Sequence, residues 1–137
     1  MSEFLELPKF FVTVDRVLYA SHLTAFAHHG YSFVYFITIH NETDLTITIK
    51  GRKWVVHNGY GEITAVEGEG VVGQSPELSP GQSFSYNSFH VMVTSHGYAE
   101  GSYLGIDNLN RKMIARIPRF LMDVSMTGEV PPGMKGI

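Results

Sequence analysis

Between residues 33 and 50 the chain alternates with a period of two, and this constrains the possible folds more than any other feature. Phe33, Tyr35, Ile37 and Ile39 take the odd positions of one run, with Val34, Phe36, Thr38 and His40 between them. After Asn41-Glu42-Thr43-Asp44, which carries turn chemistry, Leu45, Ile47 and Ile49 alternate with Thr46, Thr48 and Lys50. Successive side chains of a strand point to opposite faces, so each run presents one apolar face to a core. No stretch sustains a helical period, and no segment repeats.

At Gly51 the phase changes. Beyond it the bulky residues are Trp54 and Val56, at even positions, with Arg52 on their side. One extra residue that swaps faces is what a β-bulge provides, and glycine commonly sits there. Residues 45–57 therefore read as one long strand bent near Gly51. Asn58-Gly59-Tyr60-Gly61 turns it back into a short strand over 62–67. Further strands are expected at 11–19, 83–88, 92–94, 101–107 and 113–121, with 22–30 a loop or a short helical turn. Pro118 belongs at an edge or bulge, because it cannot donate to a ladder. Residues 1–127 read as one domain, and 128–137, rich in glycine and proline, as a poorly ordered tail. Short strands separated by turns point to an all-β, two-sheet antiparallel sandwich, and a lone Trp54 on a central strand suits an immunoglobulin-like core.

Composition narrows the function classes. The chain has no cysteine, which removes disulfides, thiolate zinc sites and cysteine nucleophiles together. A formal charge of −3 with scattered Lys and Arg gives no nucleic-acid footprint. The start of the sequence, Met-Ser-Glu-Phe-Leu-Glu, carries acids where a signal peptide needs cations, and no apolar run has membrane-spanning length. The expected location is the cytoplasm, with no membrane partner.

One set of motifs is specific by order and spacing. It consists of Arg52-x-Trp54, then Gly68-Glu69-Gly70-Val71-Val72-Gly73-Gln74-x-Pro76-x-Leu78-x-Pro80-Gly81, then Phe84-x-Tyr86-x-Ser88. Upstream lies Phe33-x-Tyr35-x-Ile37-x-Ile39-x-Asn41, and downstream Gly97-x-x-x-Gly101-Ser102-Tyr103 and Ile117-Pro118-x-Phe120. Over nearly the whole chain this resembles the ApaG family. The resemblance implies a fibronectin-III-like sandwich, found alone in bacteria and inside larger eukaryotic proteins, where it serves protein contacts. Bacterial relatives are linked to divalent-cation phenotypes, and the family brings no accepted catalytic residue. His57 and Asn58 stand where the family often has an acidic turn residue.

The segment Gly68-x-Gly70-x-x-Gly73 matches the dinucleotide-binding string. Its mechanism needs a helix N-terminus after the glycines, to hold pyrophosphate on free N–H groups. Pro76 and Pro80-Gly81 follow too soon for such a helix. An anion-binding nest needs no helix, so Gly68, Gly70 and Gly73 stand as the candidate ligand loop. The opposing reading is a structural connection, favoured by Glu67 and Glu69 and by the lack of Lys or Arg within 67–81. Phosphate binding would require a cation from elsewhere: Arg52, Lys53, Arg111 or Arg116.

The seven histidines form no H-x-H or HExxH pattern and read as scattered, so no metal site is expected. No G-x-S-x-G elbow supports a serine nucleophile, and the many aromatics read as sandwich core. The expectation is a binding module for another protein, with self-association open, no catalytic residues and no cofactor. The alternative is a phosphate- or nucleotide-binding protein built on the glycine segment.

Overall fold

In the computed structural model, which describes residues 4–20 and 30–127, nine strands make two sheets. They are β1 (Phe4–Leu5), β2 (Phe10–Tyr19), β3 (Tyr31–Asn41), β4 (Ile47–Asn58), β5 (Ile63–Glu69), β6 (Glu77–Leu78), β7 (Ser83–Met92), β8 (His96–Asp107) and β9 (Lys112–Asp123). The large sheet runs β1-β9-β8-β4-β5, with β6 also on β4, and the small one runs β2-β3-β7. The all-β sandwich read from the alternation is what forms. All pairings are antiparallel except that of β1 with β9. Residues 22–29 and 128–137, read above as a loop and a tail, lie outside the described residues.

The odd face of β3 points inward as expected: Phe33, Tyr35, Ile37 and Ile39 are fully enclosed. Facing them from the large sheet are Ile47, Ile49, Trp54 and Val56 of β4, with Tyr103, Met113, Ala115 and Phe120. The Trp54 ring lies between Tyr35 and Phe120, with centroids 4.7 and 5.9 Å away. β3 also buries Val34 on its other face, with Leu18 and Ala20. The even positions of β3 are accordingly mixed: Val34 is enclosed among Leu18, Ala20, Phe36 and Phe89, whereas Phe36 and His40 are half-buried.

The phase change at Gly51 is a bulge. Ile49 pairs with Gly105 but Gly51 pairs with Leu104, so β4 carries one extra residue there. Burial accordingly shifts from Ile47 and Ile49 to Trp54 and Val56. Pro118 also sits in a bulge: Ala99 pairs with Phe120 and Gly101 with Ile117, leaving Pro118 and Arg119 opposite Glu100. A third bulge, between Val14 and Arg16, leaves Asp15 without a ladder partner. Its carboxylate accepts from the Thr13 and Thr38 hydroxyls at 2.9 and 2.5 Å.

Three expectations are corrected. Residues 92–94 are no separate strand: β7 runs through Met92, and the chain bends before β8. The long strand begins at Ile47, leaving Leu45 half-buried in the turn. The strand after the hairpin extends past residue 67 to Glu69, so it takes in Gly68, the first glycine of the candidate loop.

Candidate functional site

Gly68 is paired with Arg52 in the β4–β5 ladder, at the rim of the large sheet. A Cβ on Gly68 would stand 2.6 Å from Arg52 Nη2. The missing side chain is what lets the guanidinium cross the strand. Arg52 Nη1 then donates to the Glu69 carbonyl at 2.7 Å and reaches that of Gly70 at 3.3 Å.

Gly70 leaves the strand with φ +62, its N–H donating to the Lys50 carbonyl at 2.8 Å. Val71 and Gln74 exchange backbone hydrogen bonds at 2.7 and 2.9 Å, closing a tight turn with Val72 and Gly73 in the middle. Both central residues have positive φ, 43 and 80, the signature of a type I′ turn. Glycine accepts that backbone readily, whereas a β-branched valine does so rarely. Val72 packs part of its side chain against the core, beside the enclosed Val71. Gly68 therefore lies within the strand, Gly70 just beyond its end, and Gly73 inside the two-residue hairpin. Among the described residues no helix N-terminus is present to hold a pyrophosphate in the dinucleotide-binding manner.

Beside this segment, the solvent side of the large sheet carries a shallow hollow of about 690 Å³. Its floor is Gly51, Ser102, Leu104 and Ile114, with Phe4 at one side and Lys53, Glu67 and Glu69 at the other. Of the four cations named from sequence, Arg52 and Lys53 are at this hollow. Lys53 pairs with Glu67 at 3.9 Å across an exposed surface. Arg116 is held by Glu6 at 2.6 Å, and Arg111 by Asp107 at 2.6 Å in the turn after β8. Burial pushes the Asp107 carboxyl up, but the Arg111 and Leu109 N–H groups and the Arg111 guanidinium outweigh it and hold it below the usual range.

Further along the same face, His57 stacks on Tyr98 at 4.2 Å, and the Arg119 guanidinium lies over the Tyr98 ring at 4.4 Å. Glu100 joins them, bonding His57 Nε2 at 3.1 Å and accepting from Arg119 Nη2 at 3.4 Å. Across the strands this row runs Ile63, His57, Tyr98, Leu121. Ile63 and Leu121 are each 63% exposed at its ends.

Beneath the sheet Arg52 neighbours a buried tyrosine group. The Tyr86 and Tyr103 hydroxyls share a short hydrogen bond. Burial pushes Tyr86 up to about 12, against the opposing pull of the Tyr103 hydroxyl and the Arg52 guanidinium. Burial likewise raises Tyr35 and Tyr103. The periodicity placed these rings in the core but gave no signal that their hydroxyls would gather near Arg52.

The described histidines stay apart. His40 stacks on Phe11, His57 joins Glu100, His90 points inward from β7, and the His96 ring lies against Gly59. Among the described residues no three His, Cys, Asp or Glu side chains come together as a metal site. No helix among them is long and apolar enough to cross a membrane.

The family model described as the ApaG domain matches residues 22–107. The chain belongs to the ApaG family. Protein ApaG of Deinococcus radiodurans is 41% identical over 93 residues, which is 68% of this chain and 73% of that protein. Protein ApaG of Shewanella frigidimarina is 38% identical over 98 residues, 72% of this chain and 78% of the relative. Among solved structures, the ApaA protein of Bordetella pertussis superposes with a TM-score of 0.76 at 28% identity, covering 86% of this chain and 97% of its own. The residues that carried the resemblance have structural places in this ApaG domain: Trp54 in the core, Arg52 across Gly68, Gly70 and Gly73 at the tight turn. Asn41, enclosed at the end of β3, donates Nδ2 to the Leu45 and Leu78 carbonyls at 2.7 and 2.9 Å.

Proposed function

We propose that this domain is a non-enzymatic binding module that presents the solvent side of its large sheet to another protein. The observation that carries the reading is the row Ile63–His57–Tyr98–Leu121. Its end residues are apolar and largely in water, and its middle is held rigid by aromatic stacking and by Glu100. Rigid aromatic and apolar groups ringed by charge are what a protein contact uses, because little side-chain entropy is lost on docking. The likeness to immunoglobulin and fibronectin-III sandwiches expected from sequence belongs with this reading, as does a cytoplasmic setting.

The second reading, phosphate or nucleotide binding, is favoured by Arg52 and Lys53 beside the glycine segment. Against it, Arg52 Nη1 is spent on backbone carbonyls, and Glu67 and Glu69 give the hollow an opposing field. Phosphoryl transfer needs unopposed positive charge at the phosphates.

Leu121→Glu combined with Ile63→Thr alters the two exposed ends of the row and should leave the melting temperature unchanged. Immobilised wild-type domain should retain a saturable protein from a native lysate that the double variant does not. In parallel, ATP, GTP and a dinucleoside polyphosphate with magnesium should give neither titration heat nor phosphate release above a mock purification. Nucleotide turnover that Gly70→Ala abolishes without unfolding would instead establish the second reading.

A further inference from the structure

β5 is the outermost strand of the large sheet, and nothing among the described residues covers it: Ile63, Thr64, Ala65, Glu67 and Glu69 are all exposed. The hydrogen-bonding phase of its ladder can be read from both ends. Asn58 N–H donates to the Glu62 carbonyl at 3.0 Å, and Gly70 N–H to the Lys50 carbonyl at 2.8 Å. In an antiparallel pair, bonded positions alternate, so even-numbered residues of β5 turn their backbone groups to β4. The N–H and C=O groups of Ile63, Ala65 and Glu67 therefore point away from the sheet. At Glu69 this open edge ends, because Arg52 occupies its carbonyl.

Such an edge is a template for another strand, and proteins normally blunt it with lysine, proline or a bulge. Residues 63–67, Ile-Thr-Ala-Val-Glu, contain none of these, and Ile63, Thr64 and Val66 are β-branched types that favour a strand. We infer that β5 is a self-recognition edge on which a second copy of this chain adds its own β5, antiparallel, with the two-fold axis at Ala65.

The register follows from phase and charge. Only a pairing of odd with odd residues engages the free backbone groups on both sides. Centred on Ala65, it sets Ile63 against Glu67 of the second copy and Thr64 against Val66 of the second copy. The two alanines meet without steric conflict, and no like charges face one another. Centring on Glu67 would oppose two carboxylates, and centring on Ile63 would run the ladder into Gly61, whose φ is +81 in the hairpin turn. The outer faces of the two large sheets then join into one surface. Strips this short bury less than the ~1,000 Å² of a stable interface, so the dimer belongs to the weak, reversible class.

Sedimentation of the full chain at rising concentration should show the average mass climbing toward the dimer before about 1 mM, the weak limit of a specific contact. Ala65→Pro removes an N–H that β4 does not use, so it should weaken dimerisation at least about tenfold while leaving the strand spectrum intact. The chain has no cysteine, so an introduced thiol is unique. Under mild oxidation Ala65→Cys should cross-link to itself. Glu67→Cys should not, but should cross-link when mixed with Ile63→Cys. A monomeric mass throughout, or equally fast self-linking of Ala65→Cys and Glu67→Cys, would overturn the inference. Should Ala65→Pro unfold the chain, the cysteine pattern decides alone.

Discussion

Arg52 occupies the space that a side chain on Gly68 would fill. Its guanidinium lies against the Gly68 backbone and bonds the next carbonyl, at Glu69. The glycine is needed because a neighbouring cation crosses it, not because a ligand approaches it. One contact thus uses up both the glycine and the cation that a phosphate site would need.

The two residues should be energetically coupled. Gly68→Ala meets the far end of a flexible side chain, not backbone, so its effect should come mainly from expelling Arg52, at about 1 kcal/mol. With Arg52 already changed to alanine, the same substitution should cost far less. A double-mutant cycle by urea denaturation reads the coupling directly. Strict additivity would mean that the guanidinium does not depend on the missing side chain.

Gly70 and Gly73 both have positive φ but differ in surroundings. A Cβ on Gly70 would lie 2.1 Å from the Gln74 carbonyl oxygen, whereas one on Gly73 meets nothing within 4 Å. Gly73→Ala should therefore cost only the left-handed penalty of about 1–2 kcal/mol. Gly70→Ala adds a backbone clash that must open the turn, and should cost at least about 3 kcal/mol. Equal losses in chemical denaturation would show that the turn relaxes around the added methyl.

Asn41 is enclosed, and its side chain ties three segments together. Besides donating to Leu45 and Leu78, its Oδ1 accepts from the Thr43 N–H at 3.1 Å and hydroxyl at 2.6 Å. Asn41→Ala leaves two carbonyls without their donor and should cost about 2–3 kcal/mol. Asn41→Asp keeps the shape but replaces a donor with a buried negative charge facing those carbonyls. It should cost more than the alanine at neutral pH and recover part of the loss in acid, where the carboxyl can donate. Denaturation of both variants at two pH values tests the order.

The strands were legible where chemistry alternates strictly. Residues 33–39 and 45–50 announced their inward face, and the switch from Ile49 to Trp54 announced the bulge at Gly51. Less visible was anything set by a partner distant in sequence. β1 and β6 are two residues each and exist through pairing with β9 and β4, so no local pattern marks them. Residues 92–94 looked like a strand because Met92 and Val93 are apolar, but Val93 is in a bend, 58% exposed. In the candidate site, the glycine positions could be read and the following prolines argued correctly against a helix. That Arg52 would lie across Gly68 could not be read, because it depends on the register of β4 with β5.

His90 gives the fold a pH dependence whose sign can be worked out. It points inward from β7 between Ser88 and Met92, and burial pushes its imidazole from the ordinary 6.5 down to about 4. A depressed histidine pKa means that the unfolded chain binds the proton first as acid is added. The stabilising effect of the neutral ring is complete above about pH 6.5 and is lost progressively as pH falls toward about 4. At 1.36 kcal/mol per unit the full shift corresponds to roughly 3 kcal/mol, and partial solvent contact reduces this to about 2 kcal/mol. The carboxylates of Asp107 and Asp123 have lowered pKa values, so they lose their stabilisation in more acid solution, below the histidine window. Urea denaturation of wild type and His90→Gln at pH 7.5 and pH 4.5 separates the two contributions. Wild type should lose about 2 kcal/mol more than the variant over that interval, and parallel losses would mean that the imidazole reaches solvent freely in the folded chain.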